Sequence, residues 1–253
     1  MQGAKPVDFP MEQRHKLALA EGHELRDVSK YRRLIGRLNY LTITRPELVY
    51  YVHILSQFLQ APKTEHWDAA LRVVKYVKGS IDRGIVIEKG RGLELTGYSD
   101  SDWGSCPTTR RSLTGYFVSL GGSPISWKTK KQVTVSRCTA EAEYRAMAAL
   151  TSELIWLKTF LTSLGVHHTR PIQLYCDNQA ALHIAKNPVF HDRTKHIEID
   201  CHFVRQHLVE GTIATSFVRT TMQLADIFTK ALGKDQFRHI LGKLGSWDPG
   251  LPT

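Results

Sequence analysis

The 253-residue sequence has four cysteines, Cys106, Cys138, Cys176 and Cys201, and no two form a Cys-x-x-Cys pair. A zinc ribbon is therefore not expected, and the thiols read as reduced groups of an intracellular protein. No apolar run approaches the roughly 20 residues of a membrane span. The N-terminus has no apolar core of the signal-peptide kind, so neither insertion nor secretion is expected. Repeats and low-complexity tracts are missing too. Twelve histidines occur, but His191, His196, His202 and His207 follow one another at intervals of five and six, which fits neither a helical metal pair nor a finger.

What remains is a basic chain with apolar periodicity. Hydrophobic residues make up 42% and the net charge is +10, enough for a real core and a surface suited to a polyanion such as nucleic acid. Residues 1–28, with Pro6 and Pro10, read as a linker or the frayed tail of something larger. Three helices are expected next. Tyr31, Leu34, Ile35, Leu38 and Leu41 share a face, then Val49, Val52, Leu55 and Leu59 after Pro46, then Trp67, Leu71, Val74 and Val77 between Thr64 and Gly79. Arg72, Lys75 and Lys78 on the third could meet phosphates or only water.

From Ile85 short strands are expected: 85–87, 93–99, 113–120, 125–127, 133–135, 172–176 and 212–218. Helices are expected over 140–164, 179–185, 197–208 and 222–232. That order implies a mixed sheet flanked by helices.

Four carboxylates stand at the ends of these elements. Asp100 and Asp177 each close a strand two residues after a tyrosine, in Tyr98-Ser99-Asp100 and Tyr175-Cys176-Asp177, so each shares a sheet face with its ring. Glu143 lies four residues before Met147 on the apolar stripe of the long helix, whereas Glu141 falls off it and should face solvent. A buried Glu is costly unless paired, and a divalent cation shared with Asp100 and Asp177 would offset that cost. Asp226 is the fourth candidate. Such oxygen clusters suit Mg2+, and a pair of ions about 4 Å apart can activate water on a phosphodiester. Each Asp taken singly also fits a turn or a helix start.

Several strings resemble the ribonuclease H domain of copia-type retrotransposon Pol polyproteins. They are Gly97 to Gly104, Arg110 to Tyr116, Ile125 to Gln132, Ala140 to Tyr144, Leu174 to Gln179, Arg193 to Ile197 and Gln223 to Lys230. Tyr31 to Gly36, Thr44-Arg45-Pro46, His66-Trp67 and Tyr76 to Gly79 resemble the thumb or connection segment that precedes it. The resemblance implies an α/β fold, a ribonuclease H-like mixed five-stranded sheet flanked by helices and preceded by a small helical subdomain. The expected segments are a linker over 1–28, helical connection over 29–82, ribonuclease H domain over 83–245 and tail over 246–253.

It also implies an endonuclease that cuts the RNA strand of RNA–DNA hybrids. Asp100, Glu143, Asp177 and Asp226 would hold two Mg2+ ions, with Mn2+ as a substitute, and Asp102 is the runner-up for the first position. Lys128, Lys130, Lys131, Arg137, Asn178 and Gln179 are the expected nucleic-acid contacts. The family's paired serines before the Glu-bearing helix are here Cys138-Thr139, and the 219–221 loop lacks the histidine found in some ribonucleases H. No Tyr-x-Asp-Asp string occurs, so polymerase activity is not expected and the missing palm and fingers are a candidate partner. An intracellular place, in a cytoplasmic virus-like particle or the nucleus, is expected. The alternative is a catalytically silent nucleic-acid-binding remnant of a truncated retrotransposon.

Overall fold

A computed structural model describes residues 3–90, 92–187 and 197–247. The chain divides into two compact units, one of residues 1–86 with 230–253 and one of residues 87–229. Among the described residues no helix is long and apolar enough to cross a membrane.

In the first unit α1 (Val28–Leu41), α2 (Val49–Ser56) and α3 (Thr64–Lys78) form where expected, but α2 stops before Leu59 and α3 buries His66, Ala70, Val73 and Tyr76 rather than Trp67, Leu71, Val74 and Val77. Asp27 caps α1 by accepting the Lys30 N–H. The third helix starts at Thr64 itself, with the His66 ring accepting the Lys63 N–H, and Gly79 ends it. Two-residue β1 (Gly84–Ile85) pairs with β7 (Ser246–Trp247) in a separate ladder rather than joining the main sheet. The expected linker is bound to the helices: Met11 and Leu17 are buried, and the Leu17 carbonyl bonds the His66 ring at 2.8 Å. That strap occupies the basic face of α3. Arg72 pairs with Glu12 at 2.7 Å, and Lys78 donates to the Ala4 carbonyl.

The second unit holds β2 (Leu95–Asp102), β3 (Leu113–Leu120), β4 (Ser123–Lys131), α4 (Thr139–Ser163), β5 (Ile172–Cys176), α5 (Gln179–Lys186), α6 (Glu198–Val209) and β6 (Ile213–Phe217). The five strands order as β4-β3-β2-β5-β6. The first three are antiparallel neighbours, and β5 and β6 add in parallel, which gives the mixed five-stranded sheet expected. Leu95, Val118, Leu174 and Ile213 form a core with Met147, Leu150 and Leu154 of α4. Gly97 permits the approach, because a Cβ there would lie 2.9 Å from Leu150.

Three expectations about elements fail. Residues 133–135 are not a strand, because the partner strand begins at Leu113, which already pairs with Lys131; Val133 and Val135 are exposed instead. The expected helix over 222–232 is a pair of 3-10 turns, Thr220–Met222 and Leu224–Phe228. Side-chain ties to the sheet replace helical turns there: Gln223 Nε2 donates to the Ser99 carbonyl at 2.9 Å, and Thr129 Oγ1 to the Phe228 carbonyl at 2.6 Å. The sheet-bearing unit ends at Thr229 rather than 245. The last helix, α7 (Lys234–Lys243), stacks Phe237 edge-on to Tyr51 and Tyr76 of the helical unit.

Candidate metal centre

The parallel pairing of β2 with β5 sets Tyr98 opposite Tyr175, and their rings stack at 4.8 Å. Two residues further on, Asp100 and Asp177 emerge at the same end of the sheet on the same face as those rings. One carboxylate oxygen from each of Asp100, Asp177 and Asp226 lies within 4.8 Å of the others. Glu143, Cys176 and Asp177 form a second group on the same criterion, so Asp177 belongs to both. Asp100, Glu143 and Asp226 are 2%, 3% and 0% exposed, while Asp177 is half-buried and the most accessible of the four.

Each position has a local cause. Asp100 pairs across the sheet with Gly115. A Cβ at Gly115 would sit 2.6 Å from Thr229 Cγ2 and 2.9 Å from Phe228 Cβ. The missing side chain thus lets the 224–229 segment settle onto the sheet, where Thr229 Oγ1 donates to Asp100 Oδ2. Asp226 rides on that segment. Glu143 projects from the start of α4, whose positive end favours a carboxylate, and its Oε1 accepts the Ser101 N–H at 3.2 Å. Asp177 Oδ2 accepts from Thr220 Oγ1 at 2.8 Å. Asp102, the runner-up, closes the same strand half-buried, outside both groups.

Glu141 departs from expectation. It is 2% exposed, accepting the Arg137 N–H at 2.7 Å and the Arg145 guanidinium at 3.0 Å. It turns back over the first turn of α4 as an end-cap, so its burial is matched by local donors.

Two participants were not foreseen. Thr229 lies inside the closing motif, yet nothing in its spacing marks it as a donor to Asp100. Cys176 faces the helices, and its Sγ lies 3.9 Å from Glu143 Oε2. Burial, and next the Glu143 charge, push that thiol well above its ordinary range.

The expected nucleic-acid contacts are dispersed around this centre. Lys128 and Lys130 are exposed on β4 and line a groove of about 460 Å³ with Tyr116, Arg145 and Glu153. Lys131 Nζ is 3.1 Å from Cys106 Sγ. Burial raises that thiol, but Thr108, Thr109 and Lys131 outweigh it and bring it down to about 6. Arg137 is exposed. Asn178 caps α5, accepting the Ala181 N–H at 2.9 Å, and Gln179 is exposed beside it. The Arg193 to His196 string and His191 lie outside the described residues.

The donor set is rich in carboxylate oxygen, which fits a hard divalent ion such as Mg2+ or Mn2+.

No protein-family model matches the chain. It is 44% identical over 245 residues to the Retrovirus-related Pol polyprotein from transposon RE2 of Arabidopsis thaliana, covering 97% of this chain and 17% of that protein. With the corresponding polyprotein from transposon RE1 of the same plant it shares 45% over 242 residues, covering 96% and 16%. The chain thus spans about a sixth of the length of these curated relatives. The crystal structure of RNase H1 from the halophilic archaeon Halobacterium salinarum NRC-1 matches with a TM-score of 0.40 and 14% identity, over 54% of this chain and 94% of that one.

Proposed function

Since the chain is homologous over nearly its whole length to one segment of the copia-type retrotransposon Pol polyproteins, we propose that it is a metal-dependent endonuclease cutting the RNA strand of RNA–DNA hybrids. The observation that carries this reading is the convergence of Asp100, Asp177 and Asp226 within 4.8 Å, with Glu143 joined to them through Asp177. Those four residues would hold the ions. When bound, the ions supply an activated water and a counter-charge for the leaving oxygen.

The protein's own groups do the rest. Thr229 fixes Asp100, and the Ser101 amide fixes Glu143. Thr220 orients Asp177, the most accessible of the four carboxylates. Lys128, Lys130 and Arg137 supply charge for the backbone, and contacts to the 2′-hydroxyl distinguish RNA from DNA. With no histidine in the 219–221 loop, proton transfer around the leaving group falls to water or another group.

The test is a labelled hybrid incubated with Mg2+ and with chelator. Cleavage of the RNA strand is expected only with the metal. Asp177→Asn should reduce it to background while the thermal midpoint stays within a few degrees. A wild-type chain that binds hybrid without cutting it would instead be the silent binder, and an Asp177→Asn variant cutting at the normal rate would remove the assignment.

A further inference from the structure

Gln132 is 7% exposed and sits just past the end of β4, where its backbone N–H still bonds the Ser112 carbonyl. Its side chain lies among β2, β3 and the start of α4 at the acidic end of the sheet. The amide nitrogen is 2.9 Å from the Ala142 carbonyl, 3.1 Å from Thr114 Oγ1 and 3.5 Å from Ser101 Oγ. Its carbonyl accepts from Ser136 Oγ at 2.9 Å. An amide nitrogen has two hydrogens, so the two shorter contacts, to α4 and β3, take them. The orientation is fixed without ambiguity: the Ala142 carbonyl can only accept, and turning the amide over would set oxygen against oxygen.

The placement of these bonds matters more than their number. Ala142 is the chain neighbour of Glu143, and Ser101 is the chain neighbour of Asp100. Ser101 also donates its own N–H to Glu143 Oε1 at 3.2 Å. Gln132 therefore ties the start of α4, at the residue before Glu143, to the tip of β3, whose Thr114 pairs across the sheet with Ser101 beside Asp100. The tie is braced from outside, because Ser136, which holds the Gln132 carbonyl, also receives the Trp103 indole N–H on its backbone carbonyl at 2.9 Å.

We propose that Gln132 is a positioning residue for the metal centre, holding Glu143 at its working distance from Asp100 and Asp177. The proposal rests on the metal-dependent reading above, but it concerns ion affinity rather than cleavage. Outer groups that orient ligands are worth about tenfold to a hundredfold in metal affinity. An effect of that size should appear in the binding constant before it appears in the maximal rate.

The experiment uses the full chain. Mn2+ binding is measured by calorimetry on the protein alone, beside hybrid cleavage as a function of Mg2+. Gln132→Leu keeps most of the volume and removes every bond. It should weaken Mn2+ binding about tenfold or more and move the Mg2+ midpoint of cleavage upward by a similar factor. Maximal rate and KM for hybrid at saturating metal should stay within a few-fold of wild type. Gln132→Glu keeps the acceptor for Ser136 but turns an oxygen toward the Ala142 carbonyl, so it should weaken Mn2+ binding at least as much.

Ser136→Ala removes only the outer brace. It should shift Mn2+ affinity in the same direction by a smaller factor, and it carries the test if Gln132→Leu fails to fold. Wild-type Mn2+ affinity in a folded Gln132→Leu, or in Ser136→Ala should that be the variant that folds, overturns the proposal and leaves the nuclease reading standing. A fall in maximal rate with an unmoved metal midpoint also overturns it. Gln132-dependent Mn2+ binding in a chain that cuts no hybrid supports the proposal and ends the nuclease reading. A wild-type chain that binds no Mn2+ ends both.

Discussion

Glu47 in the helical unit and Asp226 in the sheet unit are both fully buried carboxylates, yet their surroundings differ. Glu47 lies 2.7 Å from the Arg45 guanidinium, whose other nitrogens donate to the Ser80 carbonyl and hydroxyl, while Tyr76 donates to Glu47 and Arg83 to Tyr76. Asp226 lies against two other carboxylates, Asp100 and Asp177. The first arrangement neutralises charge inside the fold and favours one rigid packing. The second gathers like charge at one place, which an internal structural role does not require and which a bound cation relieves. Burial of an acid is therefore a poor guide to function by itself, and the sign of its neighbours separates scaffold from site.

The comparison can be broken at Arg45. Arg45→Ala strands Glu47 in the interior, and breaking one side of a buried pair costs about 3–5 kcal/mol. The helical unit should show a large loss in denaturant stability, with hydrogen exchange accelerating in α1, α2 and α3. An unchanged stability would mean that the pair is not what holds Glu47.

Gly115→Ala tests the other side. A Cβ would press on Thr229 and Phe228, and overpacking of this kind costs about 1–3 kcal/mol. The 224–229 segment should lift, taking Asp226 and the Thr229 donor with it, so Mn2+ affinity should fall together with stability. Calorimetry on the variant would show whether metal affinity follows, and loss of stability with full affinity would sever the link between segment and site.

Acid gives the smallest effect. Burial lowers the basicity of His15 and His66, both in the helical unit. A histidine whose folded pKa is depressed contributes stability that is full above its unfolded value of about 6.5. That contribution is lost progressively as pH falls below this value, because only the unfolded chain takes up the proton easily. Amides of α1 to α3 should exchange faster at about pH 5 than at about pH 7 after correction for intrinsic rates. His66→Asn should flatten that dependence, and a flat wild-type profile would contradict it.

Much of this was readable before any coordinates. The tyrosine two residues ahead of Asp100 and of Asp177 placed each acid on its ring's face, and the Tyr98–Tyr175 stack shows those faces to be one. The four-residue step from Met147 put Glu143 on the buried stripe. The same counting failed for Glu141, because helical phase says nothing of a side chain turning back to cap its own N-terminus. It failed again for residues 220–229, where Gln223, Thr129 and Thr229 make sheet contacts across about a hundred residues or more of sequence, and no local pattern records such pairings.

The sequence by itself marked out the five strands of the main sheet, the long helix and the four candidate acids, since side-chain periods of 2 and 3.6 are properties of the local backbone. Only the tertiary structure decided that Asp177 joins both groups, that Gly115 makes room for Thr229, and that Gln132 ties the helix start to the tip of β3. Those depend on strand order and on how far separate elements approach one another, distances that no stretch of chain contains.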